Sequence, residues 1–293
     1  MADLIYSDNL SSNLLCKCYE SIPYYVSIMT AADSLISAWR NVASEKAPYI
    51  LKGDEFPIKK LESKKRIHSF NNYEEFINNP EFGNIDSKGL HLNLVPVPYA
   101  GSLRDASIYI LLLNPGFMPL DYYAESNSEE YRSRLWANLR QEVDDLEFPN
   151  LFLDPKFIWT GGGQYWTRKL NDIIKWISSE FSKSYTKALR CLSQDICFLQ
   201  YLPYHSQYNG LSDKLLTEFR SSQLIRNFVR EDLLPRAESG KASVVVTRKT
   251  KLWGLNKSDK IVVYKGSESR GASLSINSRG GQLIQNVTRK ELI

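Results

Sequence analysis

A nearly continuous apolar run, IYILLL at residues 108–113, constrains the fold of this chain most strongly. A strand with one face in water alternates apolar and polar residues, whereas a strand covered on both faces stays apolar throughout. The run therefore predicts a strand of a parallel sheet that carries helices on both faces. It ends at Asn114-Pro115-Gly116, and this ending bears on function.

Further strands and helices alternate after this run. Strands are predicted within 196–206, 242–249 and 261–267, and amphipathic helices within Glu129–Glu142, 159–181 and 215–234. Alternation at this spacing is typical of parallel βαβ units. We expect an α/β protein with three αβα layers and a short, mostly parallel central sheet, preceded by an N-terminal helical segment.

Residues 1–90 differ in texture from the rest of the chain. Residues 11–46 are predicted to be helical, because Ala31, Leu35, Ala38 and Trp39 recur at helical spacing. Residues 47–90 are polar and rich in turn signals, with a short helix expected around Tyr73–Asn78. The sequence thus divides into an N-terminal helical segment, 1–90, to which no role is assigned, and an α/β domain, 91–293.

Composition and motifs exclude several classes of protein. The 293 residues contain no apolar run of about 18 residues, so no membrane association is expected. The N-terminus lacks the pattern of a secretory signal, and we therefore expect a cytoplasmic protein. No P-loop, dinucleotide fingerprint, hydrolase elbow or paired metal ligands are present, so we expect no cofactor and no metal. The four cysteines are predicted to be ordinary thiols: Cys16, Cys18, Cys191 and Cys197.

Positive charge is concentrated towards the end of the sequence. Residues 201–293 carry 16 Lys and Arg against 8 Asp and Glu, whereas the first 200 carry 21 against 25. Residues 241–279 hold nine basic side chains and two acidic ones. Such a surface can follow the phosphates of a nucleic acid, although a solvated face is the alternative. DNA is the expected partner, and no protein partner is evident.

The Asn-Pro-Gly ending offers a candidate for chemistry. Ligands of open parallel sheets bind beyond the carboxyl ends of the strands, where Asn114 falls. Pro115 restricts the backbone and Gly116 allows a ligand to approach it. An asparagine can position a water molecule but is a poor proton acceptor, which suits a reaction whose leaving group departs early. The alternative is an ordinary strand-to-loop turn.

Asn-Pro-Gly after a hydrophobic strand resembles the first motif of the uracil-DNA glycosylase superfamily, in particular its mismatch-specific branch. Three later segments follow in compatible order. GGQYWTRKL (162–170) resembles a glycine-to-tryptophan helix start, FLQYLPYHS (198–206) the middle strand and pocket loop, and SINSRGG (275–281) the loop that enters the minor groove. The resemblance covers about residues 92–288. It implies the αβα fold and hydrolysis of the N-glycosidic bond of a flipped base.

The resemblance also implies roles for individual side chains. Asn114 would orient the attacking water or bind the sugar-base junction as positive charge develops on the deoxyribose, and His205 would donate to the carbonyl of the departing, anionic base. Phe117 would stack on that base, with Tyr204 or Tyr99 closing the pocket. Contacts with DNA are implied for Asn277, Ser278, Arg279, Lys249 and Lys251. Independently of the resemblance, the run Gly161-Gly162-Gly163 before a predicted helix could expose N–H groups to a phosphate or serve as a hinge.

The chain departs from the branch in ways that affect the expected substrate. Leu112 stands where a glycine is usual, no proline follows Asn277, and the insert at 118–160 is long. The long insert and the N-terminal segment favour excision of bulky modified pyrimidines from phage DNA over repair of uracil or mismatches. Two other functions stay open: a catalytically inactive nucleic-acid-binding module of the same fold, and a small-molecule enzyme resembling nucleoside hydrolases.

Overall fold

The computed structural model describes residues 29–42 and 46–292 and has a five-stranded sheet between helices. A separate pair of short strands lies parallel to each other outside this sheet. The short pair is β1 and β2, and the sheet comprises β3 to β7: β1 (Ile67–His68), β2 (Leu90–His91), β3 (Tyr99–Ala100), β4 (Ile108–Leu112), β5 (Ile196–Gln200), β6 (Ser243–Val246) and β7 (Ile261–Val263).

The strand order is β3-β5-β4-β6-β7. Strands β5, β4, β6 and β7 are parallel, and β3 is antiparallel to β5 at the edge. The chain passes from β4 to β5 on one side and then crosses to β6 on the other side of β4. This reversal places a topological switch point beside β4. The predicted α/β class and mostly parallel sheet are confirmed.

Fourteen α-helices are present in the described part of the chain, together with a π-helical turn at Val229–Leu233 and three short 3-10 turns. The helices are α1 (Ala31–Val42), α2 (Glu55–Glu62), α3 (Tyr73–Ile77), α4 (Pro119–Asn127), α5 (Glu129–Arg140), α6 (Gly161–Lys169), α7 (Asn171–Glu180), α8 (Tyr185–Asp195), α9 (Asp213–Glu218), α10 (Arg220–Phe228), α11 (Leu234–Glu238), α12 (Thr250–Trp253), α13 (Gly266–Gly271) and α14 (Arg279–Leu292).

Successive side chains of the central strands pack against different helices. Tyr109 contacts Phe228 of α10, whereas the neighbouring Ile110 is in register with Phe198, which stacks on Trp166 of α6 at a centroid distance of 3.6 Å. Every residue of β4, β5 and β6 is buried. The apolar runs are therefore explained by helices that cover both faces of the sheet.

Two predicted helices are interrupted in the structure. The one within 159–181 divides into α6 and α7 at Leu170, whose φ of −101° and ψ of 5° leave helical geometry. The one within 215–234 divides at Phe219, whose ψ of 130° is extended. Both residues are fully buried, so packing overrides the local helical preference. Helix α4, which begins at Pro119, lies in the insert and was not predicted.

The described part of the N-terminal segment packs into the same core as the sheet. Helix α1 contacts α5 and α10, and its Trp39 is fully buried. The buried Asp54 accepts hydrogen bonds from the Tyr204 hydroxyl at 2.7 Å and from the Ser221 N–H at 3.0 Å. The helix predicted over 11–46 is seen over Ala31–Val42, while the rest of that prediction before residue 29 and at 43–45, with Cys16 and Cys18, lies outside the described residues.

Candidate functional site

The loops that follow β4, β5, β6 and β7 meet at the carboxyl edge of the sheet, because these strands are parallel. The β6 end is tied to β4 by the Thr247 N–H and hydroxyl, which donate to the Leu111 carbonyl at 3.0 and 2.9 Å. Residues 113–118, which connect β4 to α4 and are called the Asn114 loop below, therefore lie beside the topological switch point, where open α/β sheets bind ligands.

The Asn114 carboxamide is anchored through its nitrogen. Nδ2 donates to the Pro115 carbonyl at 2.7 Å and to the Ser206 hydroxyl and carbonyl at 3.0 and 3.2 Å. Two of these acceptors are carbonyl oxygens, which only an N–H can satisfy, so the orientation of the amide is chemically determined. Oδ1 accepts no hydrogen bond from the described residues, and the side chain is half-buried. An acceptor oxygen is thus left for an external donor.

His205 fastens the same loop to the body of the protein. Its Nδ1 lies 2.9 Å from the Gly116 carbonyl and its Nε2 lies 3.1 Å from the Val95 carbonyl. Whichever ring nitrogen carries a proton therefore faces a carbonyl oxygen of the protein. A donor to a departing base needs a ring N–H that is free of the protein, so the structure places His205 as a support of the Asn114 loop rather than as that donor.

Phe117 is the one predicted base-stacking residue that lies next to Asn114 at this edge. Its ring stacks on His91 at a centroid distance of 3.6 Å and an interplanar angle of 16°, so only the opposite face could meet a base. Burial, with smaller effects from His68 and His205, lowers the pKa of His91 to about 2, which keeps this ring neutral. The His91 Nδ1 and the Tyr122 hydroxyl lie 3.2 Å apart.

Two carboxyl groups that the sequence analysis did not select lie beneath the loop. Asp121 and Glu125 are one turn apart on α4. Asp121 accepts from the Met118 N–H at 2.8 Å; burial raises its pKa, while His205 acts in the opposite direction. Glu125 accepts from the Val95 N–H at 3.1 Å, and burial raises its pKa to about 8. The spacing of four residues between Asp121 and Glu125, shortly after Asn-Pro-Gly-Phe, could have indicated from the sequence that both carboxyl groups lie on one face of a helix next to this loop.

Tyr204 and Tyr99 lie in the core and not against an opening. Tyr204 is 1% exposed and donates its hydroxyl proton to Asp54, and Tyr99 is fully buried and donates to the Leu139 carbonyl at 2.7 Å. Their aromatic character reflects packing and burial of a hydrogen-bonded hydroxyl. The structure therefore does not bring these two rings to the Asn114 loop.

Gln200 is a second polar group missed by the sequence analysis. It ends β5, is 5% exposed, and is in register with Leu112, two residues before Asn114. Its Oε1 is buried without a hydrogen-bond partner among the described residues. Buried amide oxygens are usually satisfied, so Gln200 offers a second acceptor near the end of the strand that precedes Asn114.

Some of the residues predicted to contact DNA are hydrogen-bonded within the protein, and others are exposed at the surface. Arg279 forms two hydrogen bonds with Glu268 and donates to the Val263 carbonyl, and Lys249 pairs with Asp213 at 2.6 Å. Ser278 caps the start of α14, where its hydroxyl accepts from the Gly281 N–H at 3.0 Å. The other two side chains are exposed at the surface: Asn277 and Lys251.

The glycine run at 161–163 begins α6 in tight contact with its surroundings. A Cβ on Gly163 would lie 2.2 Å from the Phe157 carbonyl oxygen, one on Gly162 2.3 Å from the Phe152 ring, and one on Gly161 2.7 Å from Asp121 Oδ1. The Gly163 N–H is already bound by the Thr160 hydroxyl at 3.1 Å. Close packing, rather than a phosphate loop or a hinge, explains these glycines.

Two surface cavities lie at the opposite, amino edge of the sheet. The larger, of about 440 Å³, is bounded by the turn before β7 and by α14, and the smaller, of about 100 Å³, adjoins it. Neither includes a residue of the Asn114 loop. The larger is lined by Asp259, Lys260, Leu283, Asn286, Val287, Arg289 and Lys290.

Within the described part of the chain, no three His, Cys, Asp or Glu side chains converge as metal ligands. Among the same residues, no helix has the length and apolarity needed to span a membrane. A scan against protein-family models, a search of curated proteins and a search of solved structures each find no match to this chain.

Proposed function

We propose that this protein is a monofunctional DNA glycosylase that hydrolyses the N-glycosidic bond of a flipped, modified base. The observation that supports this best is the Asn114 carboxamide, which is anchored through Nδ2 and keeps Oδ1 without a partner among the described residues at the switch-point edge. Such an oxygen can accept a hydrogen bond from a water molecule and aim it at the sugar. The Asn-Pro-Gly motif, which resembles that of uracil-DNA glycosylases, points to the same role.

In the proposed reaction the C1′–N bond breaks first and its electron pair leaves with the base. Positive charge then develops on the deoxyribose, and the water held by Asn114 adds its oxygen to C1′ and releases a proton to solvent. A weak acceptor suffices, because the electrophile is already formed when water attacks. This sequence leaves an abasic site and needs no covalent intermediate with the protein.

The anionic base requires hydrogen-bond donors near its carbonyl groups. His205 is engaged with two carbonyls, so the main-chain N–H groups of Gly116 and Phe117 are the better candidates. Neither forms a hydrogen bond with the described residues, and both lie within three residues of Asn114. Main-chain donors are fixed in direction and stay charge-neutral, which suits stabilisation of a developing anion.

The test is formation of abasic sites in DNA that carries uracil, mismatches or modified cytosines, including bulky ones. We expect turnover on at least one substrate, and Asn114→Ala to lower it about 100-fold or more while DNA binding is kept. Asn286→Ala, an exposed asparagine at the amino edge, is the matched control and should behave as wild type. Inertness on every substrate would reject the proposal.

A catalytically inactive DNA-binding module is the second candidate, and the engagement of both His205 nitrogens favours it. The same comparison separates the two functions. If Asn114→Ala alters neither turnover nor any other measured activity while the wild type binds DNA, the module is the better account.

A further inference from the structure

Three basic side chains form a group at the carboxyl side of the sheet: Arg248, which belongs to the basic stretch 241–279, and Arg168 and Lys169, which the sequence analysis did not select. Lys169, at the end of α6, donates to the Gly271 carbonyl at 2.8 Å, and Arg248, two residues after β6, donates to the Arg270 carbonyl at 3.0 Å. These two carbonyls belong to adjacent residues of α13, so the ammonium and the guanidinium are held close together. Arg168 precedes Lys169 on the exposed side of α6.

These cations form no ion pair within the described part of the chain. None of Arg168, Lys169 and Arg248 has a carboxylate within ion-pair distance among the described residues. Burial, and then the positive charges of Arg248 and Arg168, lower the pKa of Lys169. Three like charges thus converge at a site where an anion would relieve their repulsion.

The group is connected to the sheet through α13. Its carbonyl acceptors are on α13, which is tied to β6 by the Ser269 hydroxyl, a donor to the Thr247 carbonyl at 2.9 Å. Strand β6 is the direct neighbour of β4, and neighbouring strands lie about 4.8 Å apart. Arg248 therefore leaves the sheet one strand away from the strand that precedes Asn114, which places the group within the span of a few nucleotides of that loop.

An exposed aromatic ring accompanies the charges. Tyr165 is 40% exposed, and both Arg248 and Arg168 act electrostatically on its hydroxyl. Cations that follow a backbone, with an aromatic ring available for stacking, are typical of nucleic-acid surfaces, whereas a free phosphate needs no ring. We propose that Arg168, Lys169 and Arg248 bind backbone phosphates of the DNA strand presented to Asn114, an assignment that rests on the proposed function for its choice of ligand.

The test is the salt dependence of DNA binding, measured by fluorescence anisotropy with labelled single-stranded and duplex DNA. Removal of one phosphate-binding side chain should reduce the slope of log K against log salt by about 0.7 for single strands and 0.9 for duplex DNA. We expect this for Arg168→Ala and for Arg248→Ala, while Arg248→Lys keeps the slope because it keeps the charge. Lys241→Ala, an exposed lysine at the amino edge, is the control with an unchanged slope.

The outcomes separate this inference from the proposed function. Slopes equal to wild type in both alanine variants would overturn the inference, even if abasic sites are formed. Saturable binding of inorganic phosphate that both alanine variants lose, with their DNA-binding slopes equal to wild type, would indicate a free-phosphate site and would also overturn it. Reduced slopes without turnover on any substrate would support the inference and reject the glycosylase. Thermal unfolding of each variant verifies that it is folded.

Discussion

At the scale of single residues, the Asn114 loop depends on a relay of main-chain groups. The Val95 peptide is bound from both sides, because its carbonyl faces His205 Nε2 and its N–H donates to Glu125. His205 in turn holds the Gly116 carbonyl. These contacts hold the main chain of the loop at Gly116, next to Pro115, whose carbonyl helps to orient the Asn114 amide.

Glu125 gives this relay a measurable pH dependence. Its pKa is raised from 4.5 to about 8, so between these values the native state keeps a proton that the unfolded chain releases, and stability falls as pH rises. Glu125→Gln mimics the protonated form and removes this contribution. We expect the variant to match wild type near pH 4.5 and to exceed its unfolding free energy by at least about 1.4 kcal/mol near pH 8.

Urea denaturation across this pH range measures the difference. Glu129→Gln, an exposed carboxyl on the next helix, is the control and should follow the wild-type curve. A constant offset between Glu125→Gln and wild type at every pH would contradict the assigned cause.

At the scale of elements, the start of α6 is determined by contact rather than by ligand binding. The glycines at 161–163 allow the helix to pass close to the Phe157 carbonyl, the Phe152 ring and the Asp121 carboxyl. Because Asp121 also caps α4 by accepting from the Met118 N–H, this packing couples α6 to the loop that contains Asn114. The glycine run at 161–163 thus allows α6 to pack closely against α4, and this packing explains it better than phosphate binding does.

Gly163→Ala tests this account. The added Cβ would meet main-chain atoms of Phe157 and Ile158, which cannot rotate away, so we expect a loss of about 1–3 kcal/mol in unfolding free energy. Gly83→Ala, where nothing lies within 4 Å of the added Cβ, is the matched control. Unchanged stability together with weaker binding of DNA would instead favour a phosphate role for the run.

At the scale of the whole molecule, residues before the sheet are part of its core. Helix α1 lies against α5 and α10. The Asp54 carboxylate accepts hydrogen bonds from Tyr204 and Ser221, which belong to the α/β domain. The N-terminal segment and the α/β domain therefore share one hydrophobic cluster across the described residues. A boundary at residue 90 marks a change of sequence texture, while packing continues across it.

Trp39→Ala measures this dependence. Its side chain is fully buried in α1, so truncation should reduce the unfolding free energy by about 3–5 kcal/mol. Trp159→Ala removes the same side chain where it is 38% exposed and should cost clearly less. Equal effects in a thermal or urea unfolding experiment would argue that the N-terminal segment is not a structural part of the core.

Element types could be predicted from the sequence because they depend on local pattern. The continuous burial of Ile108–Leu112 and the helical spacing around Leu35 and Trp39 each follow from the face that a segment must cover. The placement of Asn114 at the carboxyl edge followed from the same reasoning. Breaks at Leu170 and Phe219 did not, because the backbone there follows tertiary packing and not propensity.

By itself, the sequence determined the α/β class, the apolar strands and the polar ending at Asn114-Pro115-Gly116. Only the tertiary structure decided which side chains are engaged inside the protein: His205 on two carbonyls, Tyr204 on Asp54 and Arg279 on Glu268. Hydrogen bonds and ion pairs act over a few ångströms, and their partners here come from distant parts of the chain. Local periodicity carries no information about such pairs until the strand order has brought them together.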